Sequence, residues 1–210
     1  MIRCLPACKY LADQGHEVFF DCFAQFHGLF EIVSYVKAGH RQGIEIDLEV
    51  WPNKYLEYRN SKKTWTDFVY ADPRIKDADK TNIVIDRLGQ EKALGLSDEY
   101  HLIAPFGISQ GYQRNPIDFI QNAVKELGKD KIVILCPPEF EIHGLKTYTA
   151  PSIEQMARAI RDADEFWCIN SAPVCIASAV RKGKETKFWG VKNEWEVDNI
   201  FNFDGLVRVD

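Results

Sequence analysis

The alternation of short apolar runs with amphipathic segments is the feature of this sequence that most constrains its fold. Three runs in the second half, LIAPFG at 102–107, KIVILC at 131–136 and EFWCIN at 165–170, are apolar almost throughout, and KFWG at 187–190 is shorter. Continuous apolar runs of this length are typical of strands that are buried on both faces. Strands that alternate with helices build a mainly parallel sheet with helices on both of its faces. We therefore predict an α/β fold.

Helical segments separate these predicted strands. Pro116 is well suited to the start of a helix and Gly128 to its end. The inward face of that helix is predicted to consist of four apolar residues, Ile117, Ile120, Val124 and Leu127. Ser152 and Gln155 form a capping-box pattern that predicts the start of a second helix. A third helix is predicted over residues 173–182.

The first half of the chain is less regular. Apolar residues at helical spacing over 5–12, before Gly15, predict a helix, and HEVFFDC at 16–22 predicts a short buried strand. A second helical pattern covers residues 26–33. Residues 44–50 alternate between apolar and acidic, which predicts a strand with one solvent-exposed face.

The region before the first apolar run of the second half has a mixed pattern. Residues 52–80 are polar and aromatic with weak periodicity, which predicts an excursion or a linker. NIVID at 82–86 is then predicted as a strand and LGQEKALGL at 88–96 as a short helix. We set the domain boundary after residue 98, so that the predicted domains are 1–98 and 99–210.

Composition narrows the class of protein. Apolar residues make up 46% of the 210 residues, enough for one large or two small cores. The formal net charge is −5 and the sequence has no long basic run, so it gives no sign of a nucleic-acid interface. The first residues, MIRCLPACKY, lack the apolar stretch of a signal peptide or membrane anchor, which predicts a cytoplasmic protein without a transmembrane segment.

Six cysteines are spread along the chain without paired CxxC motifs. Most of them lie in apolar segments, so we predict buried, reduced thiols. Cys4 and Cys8 have the spacing of one helical face, but two thiols without nearby His or Cys partners make a poor zinc site. The sequence therefore predicts no metal site.

A polar loop follows the first apolar run of the second half, at the end of a parallel strand where ligands of such sheets bind. Ser109, Gln110 and Arg114 lie in this loop beside a glycine. A hydroxyl, an amide, a guanidinium and backbone N–H groups together suit phosphate oxygens. No P-loop or GxGxxG pattern is present, so an ordinary polar turn with a solvated Arg114 is the alternative interpretation.

Two further loops follow predicted strands. Glu139 comes after KIVILC, where a carboxylate can accept hydrogen bonds from ribose hydroxyls, although a surface glutamate is the simpler interpretation. Asn170 and Ser171 lie between a strand and a helix, where the helix dipole would attract a phosphate. Helix capping alone would also explain both residues. The three loops together favour a mononucleotide site at one edge of the sheet.

Residues 152–190 resemble the C-terminal signature of the ADP-heptose:lipopolysaccharide heptosyltransferase family. That signature is a helix, an acidic turn, a strand, a loop with the motif N-D-S-G-P-x-H, an alanine-rich helix and a strand that ends in F-G. Ser171, Pro173 and the alanine-rich continuation match it, whereas Asn170, Ala172 and Cys175 replace the Asp, Gly and His of the family. The resemblance implies a GT-B-like fold of two Rossmann-like parallel-sheet domains, of which the N-terminal one is reduced here.

The resemblance also implies roles for the earlier loops. IAPFGISQGYQRNPIDFI is similar to the phosphate-contacting loop of the family, which implies that Ser109, Gln110 and Arg114 lie near the donor diphosphate. ILCPPEFE is similar to the segment that approaches the donor ribose, which implies this role for Glu139. The implied activity is metal-independent, inverting transfer of a sugar from a nucleoside-diphosphate sugar to the hydroxyl of a glycan, lipopolysaccharide or other acceptor. The nucleotide sugar is a substrate, and no cofactor is implied.

The catalytic base is a separate question. Members of the family begin with a strand and a glycine-rich loop that carries an aspartate proposed as the base, and the corresponding segment would precede Met1. We expect a trimmed start, a substitute base, or a protein that binds without transferring. Asp21, and less well His27, are the candidate substitutes, because Asp21 follows a predicted strand. Capping of the next helix is the alternative role for Asp21.

Three functional hypotheses remain from the sequence. The first is a glycosyltransferase, and the second is a catalytically silent nucleotide or nucleotide-sugar binding protein on the same fold. The third is an interaction protein whose polar loops only cap helices. The replacements at Asn170, Ala172 and Cys175 favour the second over the first, whereas Arg114 and the order of the loops oppose the third.

Overall fold

The chain forms two compact units. The structure, a computed structural model, describes residues 2–48, 54–61, 63, 65–106, 116–138, 140, 142–169, 171–189 and 205–209. Within these, residues up to Arg87 belong to the first unit, and the second unit begins at Leu88. Residues 88–98 therefore group with the unit that follows them. Side chains of the second unit anchor this segment, since Arg161 donates to the carbonyls of Gly89 and Glu91 at 2.6 and 2.7 Å.

The described part of the first unit contains short helices, two short strands and long irregular segments. Its regular elements are α1 (Leu5–Asp13), β1 (Phe19–Phe20), β2 (Lys37–Ala38), α2 (Tyr55–Ser61) and α3 (Trp65–Val69). Short 3₁₀ segments occupy Ile2–Cys4 and Ala24–Glu31. The two strands pair in parallel, with Phe19 opposite Lys37. The predicted strand at 16–22 is thus reduced to two residues, and the predicted helix at 26–33 is replaced by a 3₁₀ segment.

The predicted helix at the start of the chain is confirmed. Leu5 and Cys8 are buried on its inner face. Gly15 ends the helix with a positive φ of 89°, and its N–H donates to the carbonyl of Ala12 at 2.9 Å. A left-handed glycine at this position is the usual way to terminate an α-helix.

The aromatic segment 52–80 supplies core residues of the first unit. Tyr58, Tyr70 and Ile75 are buried in one cluster with residues of the first helical turns. The Tyr70 hydroxyl donates to the carbonyl of Arg3 at 2.8 Å and accepts from the N–H of Ala7 at 3.1 Å. The segment is therefore part of the core, and the prediction of a linker is wrong.

Three other predictions for the first ninety-six residues are wrong. The predicted strand over 44–50 is absent from 44–48, where Ile44 is 83% exposed, and residues 49 and 50 lie outside the described residues. Residues 82–86 form no strand and residues 88–96 form no helix. Residues 82–86 are held by a side-chain hydrogen bond instead of by pairing with another strand. The carboxylate of Asp86 accepts from the N–H of Ser34 at 2.8 Å.

The second unit contains one parallel sheet. Its elements are β3 (His101–Ala104), α4 (Pro116–Leu127), β4 (Ile132–Leu135), β5 (Lys146–Tyr148), α5 (Ile153–Asp162), β6 (Phe166–Ile169), α6 (Ala172–Val180), β7 (Thr186–Trp189) and β8 (Leu206–Val209). The six strands are parallel and lie in the order β5-β4-β3-β6-β7-β8. The predicted α/β architecture with a parallel sheet flanked by helices is confirmed.

Helix α4 covers one face of the sheet. Its Phe119 lies edge-on to Trp189 at 4.7 Å and near Trp167 at 6.2 Å, and Ala123 is fully buried in the same cluster. Ile120 is buried as predicted, but Ile117 is 58% exposed, so that part of the predicted inward face is wrong. The contact of Phe119 with the two tryptophan side chains turns its side of the helix toward the sheet.

Helices α5 and α6 pack against each other and are held at their C-terminal ends by Arg181. This arginine is only 4% exposed and donates to the carbonyls of Ile160 at 3.1 Å, Ala163 at 2.7 Å and Glu185 at 3.0 Å. Burial lowers the pKa of its guanidinium, yet an arginine stays protonated at neutral pH. Arg181 therefore satisfies carbonyls that the helix ends would otherwise leave unpaired.

We expect Arg181→Met to lower the free energy of unfolding of the second unit by about 2–4 kcal/mol, since several buried carbonyls would lose their donor. Urea-induced unfolding followed by circular dichroism measures this change. The control is Lys146→Met, at an exposed lysine of β5 in the same unit. Its free energy of unfolding should stay within about 0.5 kcal/mol of the wild-type value. Equal stability of the two variants would contradict this role of Arg181.

Candidate functional site

The order of the strands singles out one point on the sheet. From β3 the chain continues to β4 and β5 on one side, whereas from β6 it continues to β7 and β8 on the other side. In open α/β sheets, ligands bind beyond the carboxyl ends of the two adjacent strands at which the direction of winding reverses. The ends of β3 and β6, at Ala104 and Ile169, therefore mark the candidate site.

The first turn of α6 follows β6 at this point. Ser171 occupies the N-cap position, but its hydroxyl donates to the carbonyl of Ile169 at 3.3 Å and accepts no hydrogen bond from the helix. The amino end of a helix is electropositive, and N–H groups without a side-chain cap attract anions such as phosphate. The alternative interpretation of Ser171, capping through its hydroxyl, is therefore not what the structure shows.

Helix α5 has its own cap. The Ser152 hydroxyl accepts from the N–H of Gln155 at 3.1 Å, as the capping-box pattern predicts. The Gln155 side chain does not complete the box, because its Oε1 accepts from the N–H of Leu94 at 2.8 Å. Of these two helices, α6 is thus the one whose first turn is better suited to hold an anion.

An aromatic pair that sequence reasoning missed lies at the same edge. Phe106 and Phe140 stack with ring centroids 4.9 Å apart and an angle of 19° between the ring planes. Phe106 comes two residues after β3 and packs on the buried cluster under α4, whereas Phe140 follows β4 and is 49% exposed. The available signal was one aromatic residue near the end of the run at 102–107 and another shortly after the run at 131–136.

Most of the predicted ligand-binding residues lie outside the described residues. These are Ser109, Gln110, Arg114, Glu139 and Asn170. In the sequence they follow β3, β4 and β6, which are parallel and so end at one edge of the sheet. Their roles with phosphate and ribose stay predictions.

Asp21, the predicted catalytic base, belongs to the first unit. It directly follows β1 and is exposed. The next 3₁₀ segment starts at Ala24, and its N-cap is Phe23, which makes no side-chain capping bond. His27, the second candidate, is exposed as well, with its ring 6.4 Å from that of Phe30.

The six thiols differ in their burial. None of them forms a disulfide, and all are buried except Cys22, which is partly exposed. Burial raises the pKa of Cys8 to about 12 and that of Cys168 well above its usual range. Partial burial and the charge of Asp21 also raise the pKa of Cys22. The prediction of buried, reduced thiols is confirmed for five of the six.

We expect the thiol of Cys22 to react first with Ellman's reagent at pH 8, because reaction requires access and a thiolate. The change in absorbance at this pH follows the reaction. In denaturant, all six thiols should react. Cys22→Ser should remove the fast phase, whereas Cys136→Ser, at a buried position, should keep it. A fast phase that survives Cys22→Ser would contradict the assignment.

A cleft at the opposite, amino edge of the sheet suits phosphate poorly. It is lined by Lys92, Ala93, Leu96, Ser97, Asp98, Tyr100, Asp162 and Lys184. Lys92 pairs with Asp98 at 2.6 Å, so the two charges offset each other. α5 ends at this edge, so it offers the cleft no amino-terminal N–H groups that could attract an anion.

The described residues carry neither a metal cluster nor a membrane span. No group of three or more His, Cys, Asp or Glu side chains converges in this part of the chain. No helix within it is long and apolar enough to cross a membrane.

Comparison with family models, with curated proteins and with solved structures found no match to this chain.

Proposed function

We propose that this chain binds a nucleoside-diphosphate sugar at the carboxyl edge of the second unit and transfers the sugar to an acceptor hydroxyl. In this proposal the protein is a GT-B-type glycosyltransferase similar to the heptosyltransferase family. The second unit is its donor domain, and the first unit is a reduced acceptor domain. The acceptor is a glycan, lipopolysaccharide or another hydroxyl compound.

The winding of the sheet is the observation that carries the proposal. If the strands β3 to β8 are numbered 1 to 6 along the chain, their order in the sheet is 3-2-1-4-5-6. This is the order of Rossmann-type sheets that bind nucleotides. The switch point of such a sheet is its usual binding crevice. Here that point coincides with the first turn of α6, which has no side-chain cap from Ser171.

The elements of residues 152–190 also support the proposal. The sequence resemblance implies a helix, a strand, a polar loop, an alanine-rich helix and a strand in this order. The structure has the same order of elements, namely α5, β6, the loop residue Ser171, α6 and β7. A fold alone does not specify a function, so the residues of the loops have to supply the chemistry.

Sugar transfer places the main electrostatic demand on the leaving group. The acceptor oxygen forms a bond to the anomeric carbon while the bond between that carbon and the diphosphate oxygen breaks. Negative charge then grows on the departing nucleoside diphosphate. Arg114 and the first turn of α6 are the groups that we propose to stabilise this charge.

A base has to accept the proton of the acceptor hydroxyl. We propose Asp21 for this role, because it follows β1 directly and its carboxylate is exposed rather than used as a helix cap. A general base contributes about 10²- to 10⁴-fold to a rate.

A catalytically silent nucleotide-sugar binder is the second candidate. Cys175 occupies the position at which the related family has a histidine, and it is only 9% exposed within α6. A thiol buried against the core cannot replace an imidazole in the donor site. This observation favours binding without transfer over full catalytic competence.

Calorimetric titration with ADP-, UDP-, GDP- and CMP-sugars tests the binding step that both candidates share. We expect one of these donors to bind, and Arg114→Ala to weaken it roughly tenfold to a hundredfold through the loss of a charged hydrogen bond. Arg59→Ala, at an exposed arginine of α2, is the matched control. If no donor binds, or if Arg114→Ala binds as well as the control, the proposed diphosphate site is wrong.

Mass spectrometry of products tests the transfer step. If the chain transfers sugar, Asp21→Asn should lower kcat about 10²- to 10⁴-fold and leave donor affinity unchanged. Asp77→Asn, at another exposed aspartate of the first unit, should change neither quantity. Donor binding without any product would support the silent binder, and a fully active Asp21→Asn variant would exclude Asp21 as the base.

A further inference from the structure

The stacked pair of Phe106 and Phe140 ends in an exposed aromatic face. Phe106 rests on the buried cluster beneath α4, and Phe140 covers Phe106 in a nearly parallel stack. Phe140 is nevertheless 49% exposed, so much of its own ring surface faces solvent. Exposed aromatic area is unfavourable in water, and a planar ligand can remove it by stacking.

Hydrogen bonds fix the backbone of Phe140, and its ring rests on that of Phe106. The N–H of Phe140 donates to the carbonyl of Pro137 at 3.1 Å, and its carbonyl accepts from the Sγ of Cys136 at 3.4 Å. Cys136 is itself tied to β5, because its N–H donates to the carbonyl of Tyr148 at 3.1 Å. A ring that is fixed before the ligand arrives loses little conformational entropy on binding.

The location of the ring separates it from the predicted phosphate end of the site. Phe140 follows β4, which lies on one side of β3, whereas α6 follows β6 on the other side of β3. In the sequence Phe140 stands between Glu139 and Glu141, so two carboxylates would repel a phosphate there. The carboxylates do not repel an uncharged planar base, and such a base can stack on the ring of Phe140.

We propose that Phe140, supported from behind by Phe106, is the platform on which the base of the bound nucleotide stacks. The proposal rests on the nucleotide-binding function proposed above and assigns one part of that ligand to one residue. In this arrangement the phosphates extend from the base across the end of β3 toward the first turn of α6. The stacking face accepts any of the common bases, because each has a π face.

The competing role for Phe140 is to cover Phe106. A cover requires only an apolar side chain, whereas a platform requires a flat ring. Phe140→Leu keeps the apolar cover and removes the ring, so it separates the two roles. Phe140→Trp keeps and enlarges the ring, and Phe140→Ala removes both.

Calorimetry with ADP, UDP, GDP and CDP, compared with inorganic pyrophosphate, is the test. We expect Phe140→Ala and Phe140→Leu to weaken binding of the preferred nucleoside diphosphate roughly 5- to 150-fold, as loss of one stacked base does. Phe140→Trp should bind at least as tightly as the wild type, and pyrophosphate should bind all variants equally. Leu56→Ala, at a 72% exposed apolar residue of the first unit, should change nothing.

Three outcomes would overturn the proposal. Unchanged nucleotide affinity in Phe140→Leu would leave only the covering role, while the nucleotide-binding function would stand. Equal losses of pyrophosphate and nucleotide affinity would show that the substitution disturbs the whole site. A wild-type protein that binds none of the nucleoside diphosphates would overturn both this assignment and the proposed function. Thermal unfolding of each variant verifies that it is folded.

Discussion

Parallel pairing of six short strands is the constraint on which the second unit depends. Each strand pairs in the same direction, so all of their carboxyl ends lie at one edge and all of their amino ends at the other. Between two parallel strands, the chain has to run back from the carboxyl edge to the amino edge over one face of the sheet. α4, α5 and α6 provide such connections and bury both faces. Winding reverses between β3 and β6, and ligands of open α/β sheets bind beyond the carboxyl ends of the two strands at such a reversal.

The two edges of this sheet are electrostatically different. Helices that connect parallel strands begin at the carboxyl edge and end at the amino edge, so their dipoles point in a common sense. At the amino edge, basic side chains neutralise the helix ends, since Arg181 donates to the carbonyls of Ile160 and Ala163. At the carboxyl edge, the first turn of α6 has no side-chain cap from Ser171. This asymmetry favours an anionic ligand at one edge only.

The sequence predicts the second unit well, because its strands are apolar on both faces. The four apolar runs contain most of β3, β4, β6 and β7, and α5 starts directly after the serine that its capping pattern indicates. β5 and β8 escape prediction because they are edge strands, where short sequences such as KTY and LVRV need no continuous apolar run. The rotation of α4 also escapes prediction, because it depends on the contact of Phe119 with tryptophans from distant strands.

The sequence predicts the first unit poorly for a related reason. Its strands are two residues long, and tertiary hydrogen bonds such as those of Tyr70 and Asp86 replace regular ladders. The alternating pattern over 44–48 and the apolar residues of 82–86 are typical of strands, but neither segment finds a partner strand among the described residues. For the site, the sequence predicts polar loops with candidate phosphate-binding side chains, which lie outside the described residues. It misses the stack of Phe106 and Phe140, because aromatic residues in loops have no diagnostic spacing.

We propose that the nucleotide binds at the carboxyl edge of the sheet, between β3 and β6. Titration of the preferred nucleoside diphosphate into isotope-labelled protein, followed by amide NMR, tests it most directly. We expect shifts at Phe106, Phe140, Ser171 and Val174, which border that edge. Shifts that are confined to the amino-edge cleft around Lys92, Tyr100 and Lys184 would contradict it.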